Sequence, residues 1–181
     1  MIAPWLKGLK PGDRISFDLA TAAATVASEL ELRGAPQADV CGLNLGALVA
    51  LRMAVNFPRQ VRRLVVVSGF VVPPKAALKV QRTMLKLVPE RRLLASGVPK
   101  KQMIEGLDAM IASDMSTTLA DVRVPVLVVA GADDPAGAAN AEQLRSGLPD
   151  ARVVTISGAG ADVVQDQPAA LAAAMREFLD A

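Results

Sequence analysis

The chain has 181 residues, 52% of them hydrophobic and 21% charged, with a formal net charge of +2. These values predict one ordered globular domain over residues 1–181 with a full core, and they exclude a disordered chain and a coiled coil. Four Phe, one Trp and no Tyr leave no aromatic surface for stacking bases, so no nucleic-acid partner is expected.

In chain order, helix and strand patterns alternate, as in a parallel sheet flanked by helices. Residues Ser16–Arg33 predict a helix, with Leu19, Ala22, Val26 and Leu30 at helical spacing and Gly34 as the stop. Ala38–Cys41 predicts a short buried strand, Leu45–Phe57 a helix ended by Pro58, and Arg63–Ser68 a second strand. Val124–Ala130 is the next strand, followed by a helix near Ala138–Ser146 and a strand at Arg152–Ile156. Pro168 opens a last helix to Leu179. The strands are solid Val/Leu runs, the mark of burial on both faces.

The stretch Gly69–Arg123 is too long for a plain crossover and carries helical patterns of its own. In the first, Ala77, Val80, Met84 and Leu87 form an apolar stripe beside a basic one of Lys75, Lys79, Arg82 and Lys86. In a later one, Met103, Leu107 and Met110 share a face. Four of the seven methionines fall in this insert. Residues 71–101 hold eight Lys/Arg and one acid, Glu90, a net of +7, so the rest of the chain is near −5.

Cys41 is the only cysteine and there is no histidine, so an internal disulfide is excluded and neither a metal nor a cofactor is expected. The start of the chain, MIAPWLKGLKPGD, holds no sustained apolar run. Neither signal peptide nor membrane span is expected, and the reading is cytoplasmic.

Three motifs carry the chemistry. V-C-G-L-N-L-G (Val40–Gly46) leads into a helix ended by Pro58, V-P-V-L-V-V-A-G-A-D-D-P ends at Pro135, and G-A-G-A-D-V-V-Q-D-Q-P ends at Pro168. Their order and spacing resemble the nucleophile elbow, the acid strand and the base loop of the α/β-hydrolase superfamily, from about Phe17 to the C-terminus. The resemblance implies about four parallel strands and a helical lid over about residues 70–120. It also implies a degenerate triad, with Asn44 at the nucleophile position, Asp134 at the acid position and Ala161 at the base position.

Asn44 tolerates a left-handed turn but has no proton to lose near neutral pH; its chemistry is hydrogen bonding. Gly42 and Gly46 are expected to give the elbow room. The family places about four strands before the helix that begins here near Ser16, so the resemblance implies that these residues do not supply the loop giving half of the oxyanion hole. The N–H of Leu45 is the remaining donor. By the same argument Ala38–Cys41 should lie at a sheet edge. The expected cover is the segment around Trp5, a second copy or another protein.

Ser68 and Ser157 end strands where such sheets bind ligands. Asp162 could pair with Asp134, or be a solvated loop residue. Cys41 reads as a small core residue. The candidate ligand-binding set is Asn44, Leu45, Ser68, Asp134, Ala161, Met84 and Met103, with Asn44 and Asp134 as the catalytic pair if there is catalysis. Three functions follow: binding of a small apolar acyl or carbonyl-type ligand beneath a Met-rich basic lid, a non-triad enzyme, or a subunit that completes its sheet with a partner, including a homodimer. The basic lid would suit an acidic carrier protein.

Overall fold

The valine-rich runs form one parallel sheet of four strands in the order β1-β2-β3-β4. These are β1 (Ala38–Leu43), β2 (Val61–Val67), β3 (Val126–Gly131) and β4 (Ala151–Ile156). The computed structural model describes residues 2–10, 16–73, 75–93 and 98–181. The helices are α1 (Leu19–Leu32), α2 (Leu45–Asn56), α3 (Lys75–Leu87), α4 (Lys100–Ala112), α5 (Pro135–Gly147), the single turn α6 (Val163–Asp166) and α7 (Pro168–Asp180). None of them is long and apolar enough to cross a membrane.

Alternation along the strands divides the core in two. Leu64, Val66, Val126 and Val128 face α1, α2 and α5, where Ala23, Leu48, Leu51, Met53 and Leu144 close the larger layer. Val65, Val67, Leu127 and Val129 face the other way, under Val163 and Leu171 of α6 and α7. The register pairs Cys41 with Val65 and Leu43 with Val67, so these two β1 side chains share the α7 face. Helix α7 packs over β3 and β4. Leu43 is left 39% exposed and Cys41 exposed, which corrects the reading of Cys41 as a core residue.

Among the described strands, β1 pairs only with β2, so it is the expected sheet edge. Trp5 is 56% exposed and borders a cleft shared with Thr25 and Glu29 of α1 and with Arg33, which ends that helix.

Local chemistry sets the boundaries. Helix α1 starts at Leu19 rather than Ser16 because the Asp18 carboxylate accepts the Thr21 N–H at 2.7 Å, satisfying one of the orphan donors of the first turn. Helix α5 starts at Pro135, three residues ahead of the expected Ala138, because Pro fits the first helical position.

Asp18 and Asp39 are among the carboxylates held below the ordinary range. The Thr21 amide does this for Asp18, and the Arg62 guanidinium, bonded across the strand pair, does it for Asp39. A lowered folded-state pKa gives stability that is present above the unfolded value and lost as pH falls through the folded one. Denaturant midpoints measured from neutral pH down into the acid range should therefore hold and then fall. Asp18→Ala should cost about 1 kcal/mol at neutral pH and flatten part of that acid-side fall.

Candidate functional site

The elbow forms because Gly42 has no side chain. A Cβ there would overlap the carbonyl of Gly46 and the backbone of Ala47, so the strand can turn directly into α2 only with glycine. Gly46 is different, since a Cβ there would meet nothing within 4 Å. The expectation that both glycines make room holds for Gly42 alone.

The turn puts Asn44 at φ 50°, ψ −113°, a backbone that costs a non-glycine residue on the order of 1–3 kcal/mol. Its N–H donates to the Val67 carbonyl at 3.0 Å, tying the elbow to β2. Its side chain makes no capping bond and is exposed above the strand ends. The N–H groups of Leu45 and Gly46 have no partner among the described residues, and the Ala47 N–H is turned back to the Asn44 carbonyl at 3.1 Å. The elbow thus presents an amide side chain and free helix N–H donors, which suit a carbonyl oxygen or an anion.

Ser68 stands beside Asn44 at the end of β2, also with positive φ, 51°. Its hydroxyl donates to the Ala161 carbonyl at 2.9 Å, which engages the proton and ties β2 to the loop at the base position. The Asp133 N–H donates to the Ala159 carbonyl at 2.9 Å. A Cβ on Gly131 would overlap the carbonyls of Ala159 and Gly160. The elbow, the end of β2, the base-position loop and the acid-position loop are therefore stitched in sequence.

Asp134 is half-buried and precedes α5 without capping it. Its Oδ2 lies 2.5 Å from where a Cβ of Gly137 would stand, so the bare Gly137 makes room for the carboxylate. Asp162 is not its partner. Asp162 caps α6, accepting the Gln165 N–H at 3.3 Å.

The two insert methionines separate. Met103 is half-buried on α4, the helix whose Gly106 lets Leu45 approach. Met84 is 66% exposed, and Val80 and Leu87 of the same stripe are exposed with it. That apolar stripe faces outward, while Leu78 is the buried residue of α3 and Arg82 pairs with Asp108 of α4. Setting Met84 beneath the lid took it to face inward, but periodicity locates an apolar face without saying which way it points. Sequence reading passed over Gly106 and Gln102. Gln102 is 5% exposed, and its amide donates to the Lys10 carbonyl at 2.6 Å. An isolated Gly inside a helical pattern was the available signal for close packing.

A cleft of about 510 Å³ lies beside Pro36, Phe57 and Gln60, at the opposite ends of the strands from Asn44. Among the described residues no cluster of His, Cys, Asp and Glu is placed to hold a metal ion.

The α/β-hydrolase family described as TAP-like protein matches residues 109–181. Polyketide synthase ThaQ of Burkholderia thailandensis is 30% identical over 213 residues, covering 96% of this chain and 10% of ThaQ. RutD of Azorhizobium caulinodans is 25% identical over 166 residues, covering 74% of this chain and 63% of RutD. A hydrolase from Pseudomonas aeruginosa superposes with a TM-score of 0.83 at 21% identity, covering 97% of this chain and 78% of that one. This chain belongs to the α/β-hydrolase superfamily. It spans about a tenth of one curated relative and less than two thirds of the other.

Within this α/β-hydrolase domain the elbow makes three predictions. Gly42→Ala should destabilise the chain by about 4 kcal/mol or more, the range of buried steric overlap. Gly46→Ala should be neutral or add up to about 1 kcal/mol of helix propensity. Asn44→Gly should stabilise by on the order of 1 kcal/mol through released backbone strain. Chemical denaturation of the variants checks each value.

Proposed function

We propose that this α/β-hydrolase domain holds the acyl or carbonyl group of a small apolar ligand at Asn44, beneath the α3–α4 lid, without forming a covalent acyl-enzyme. The observation that carries the reading is the Asn44 amide, kept in a strained elbow, uncapped, next to the free Leu45 N–H. A turn that only needed to fold would be better served by glycine. The amide and the N–H can both donate to one oxygen, which is how the family's elbow would act with its nucleophile removed. Leu45, Ser68, Asp134, Ala161 and Met103 would border the ligand, and the exposed Met84 could reach it only by a movement of α3.

The chain lacks the histidine of the family's proton relay, and the Ser68 hydroxyl is committed to a carbonyl. These support binding over hydrolysis. The likeness to part of a polyketide synthase supports an acyl-type ligand. With p-nitrophenyl acetate no stoichiometric burst should appear, and intact-mass spectra should show no acyl adduct; an adduct on any residue refutes the reading. Binding of a hydrophobic ketone or thioester, followed by calorimetry, should weaken by about 10-fold or more in Asn44→Ala, the loss expected when a hydrogen bond to a desolvated carbonyl is removed.

A non-triad enzyme, carrying out an acyl transfer, cyclisation or lyase step, is the second reading. It rests on the room that Gly137 gives the Asp134 carboxylate. In that case Asp134→Asn abolishes turnover while Cys41→Ala leaves it intact. A subunit role rests on the unpaired side of β1. Sedimentation of the purified chain tests it, and a clean monomer counts against it.

A further inference from the structure

Helix α3 is built in three rows. Leu78 is buried against the domain, and Arg82 is held by Asp108 of α4. Lys75, Lys79 and Lys86 form a second row, all exposed, with Lys79 and Lys86 in no ion pair among the described residues. Val80, Met84 and Leu87 form a third row at spacings of four and three, exposed by 59%, 66% and 79%. Val72, 47% exposed, lies just ahead of the helix. Such a row leaves three large apolar side chains in water, and adjacent exposed apolar groups mark interaction sites.

We propose that the outer face of α3 is a docking surface for an acidic helical protein of the acyl-carrier type. The argument is charge and row complementarity. Residues 71–101 carry a net +7 on a chain whose total is +2, so the local field is strongly positive and steers an acidic partner. The basic row lies along one side of the apolar row. A partner helix with an acidic row beside an apolar one matches that arrangement, with Met84 as the adaptable contact. A basic helix with Leu on its apolar face also suits an anionic membrane surface, and the flotation arm of the test separates the two. The proposal deepens the acyl-ligand reading by naming what would deliver the acyl group, and it rests on that reading for its purpose but not for its test.

The test uses a bacterial apo acyl carrier protein, which bears no acyl group, as the calorimetric titrant. Saturable binding should weaken by about 10-fold or more in Lys79→Glu/Lys86→Glu and in Met84→Glu, as at interface anchors, and should fall with added salt. These exposed substitutions should leave the melting temperature in place. Asn44→Ala should bind the carrier as well as the parent chain does, so failure of the ligand reading and failure of docking are separately visible. The proposal is overturned by absent carrier binding, or by binding that the α3 variants leave unchanged. Flotation with phosphatidylglycerol vesicles in place of carrier binding also overturns it, as does loss of self-association as the only effect of the variants.

Discussion

The contact between the bare Cα of Gly42 and the backbone of Gly46 and Ala47 is the constraint on which the top of the domain depends. It lets β1 turn into α2 without a linker, which forces Asn44 into the left-handed region and lifts its side chain clear of the sheet. The same turn aims the Asn44 N–H at β2 and leaves the next N–H groups free. Backbone strain stored at one residue persists only where its surroundings over-determine it, and here the buried first turns of α2 do so through Ala47, Leu48 and Leu51.

Around that fixed point the remaining loops are joined by single hydrogen bonds. Ser68 reaches Ala161, and Asp133 reaches Ala159. The loops that carry Ala161 and Asp134 are thus tied down by hydrogen bonds to main-chain carbonyls, and the chain has no imidazole to stand between them. The α/β-hydrolase architecture needs its loop ends in register for packing as well as for catalysis. That is why the framework around Asn44 can stay ordered whatever chemistry it serves.

Much of the fold was legible because valine runs and helical spacing are local signals. All four strands and the helices between them follow from those signals; the edge position of β1 and the superfamily followed instead from the resemblance of the three motifs. The elbow was legible through Asn44 and Gly42. What the sequence hid were directions and partners. The Val80–Met84–Leu87 stripe is regular, yet periodicity is the same for an inward and an outward face. Asp162 looked free to pair with Asp134, but a carboxylate just ahead of a helical turn finds the turn's own N–H first. Cys41 looked like core because strands of this kind are normally covered on both faces. Here α7 packs over β3 and β4 and meets β2 where Arg63 donates to the Leu179 carbonyl, while Cys41 and Leu43 of β1 stay exposed.

The open flank of β1 has a bearing on how the chain behaves in a tube. Its outer side pairs with no other described strand, the neighbouring Leu43 and Cys41 are exposed and make a sticky seam, and the one acidic residue placed along it, Asp39, is already neutralised by Arg62. Seams of this kind are usually guarded by a free charge or a proline. With its guard spent internally, the isolated domain should keep its solubility only when dilute, and gentle refolding at low protein concentration should recover more material than any adjustment of ionic strength.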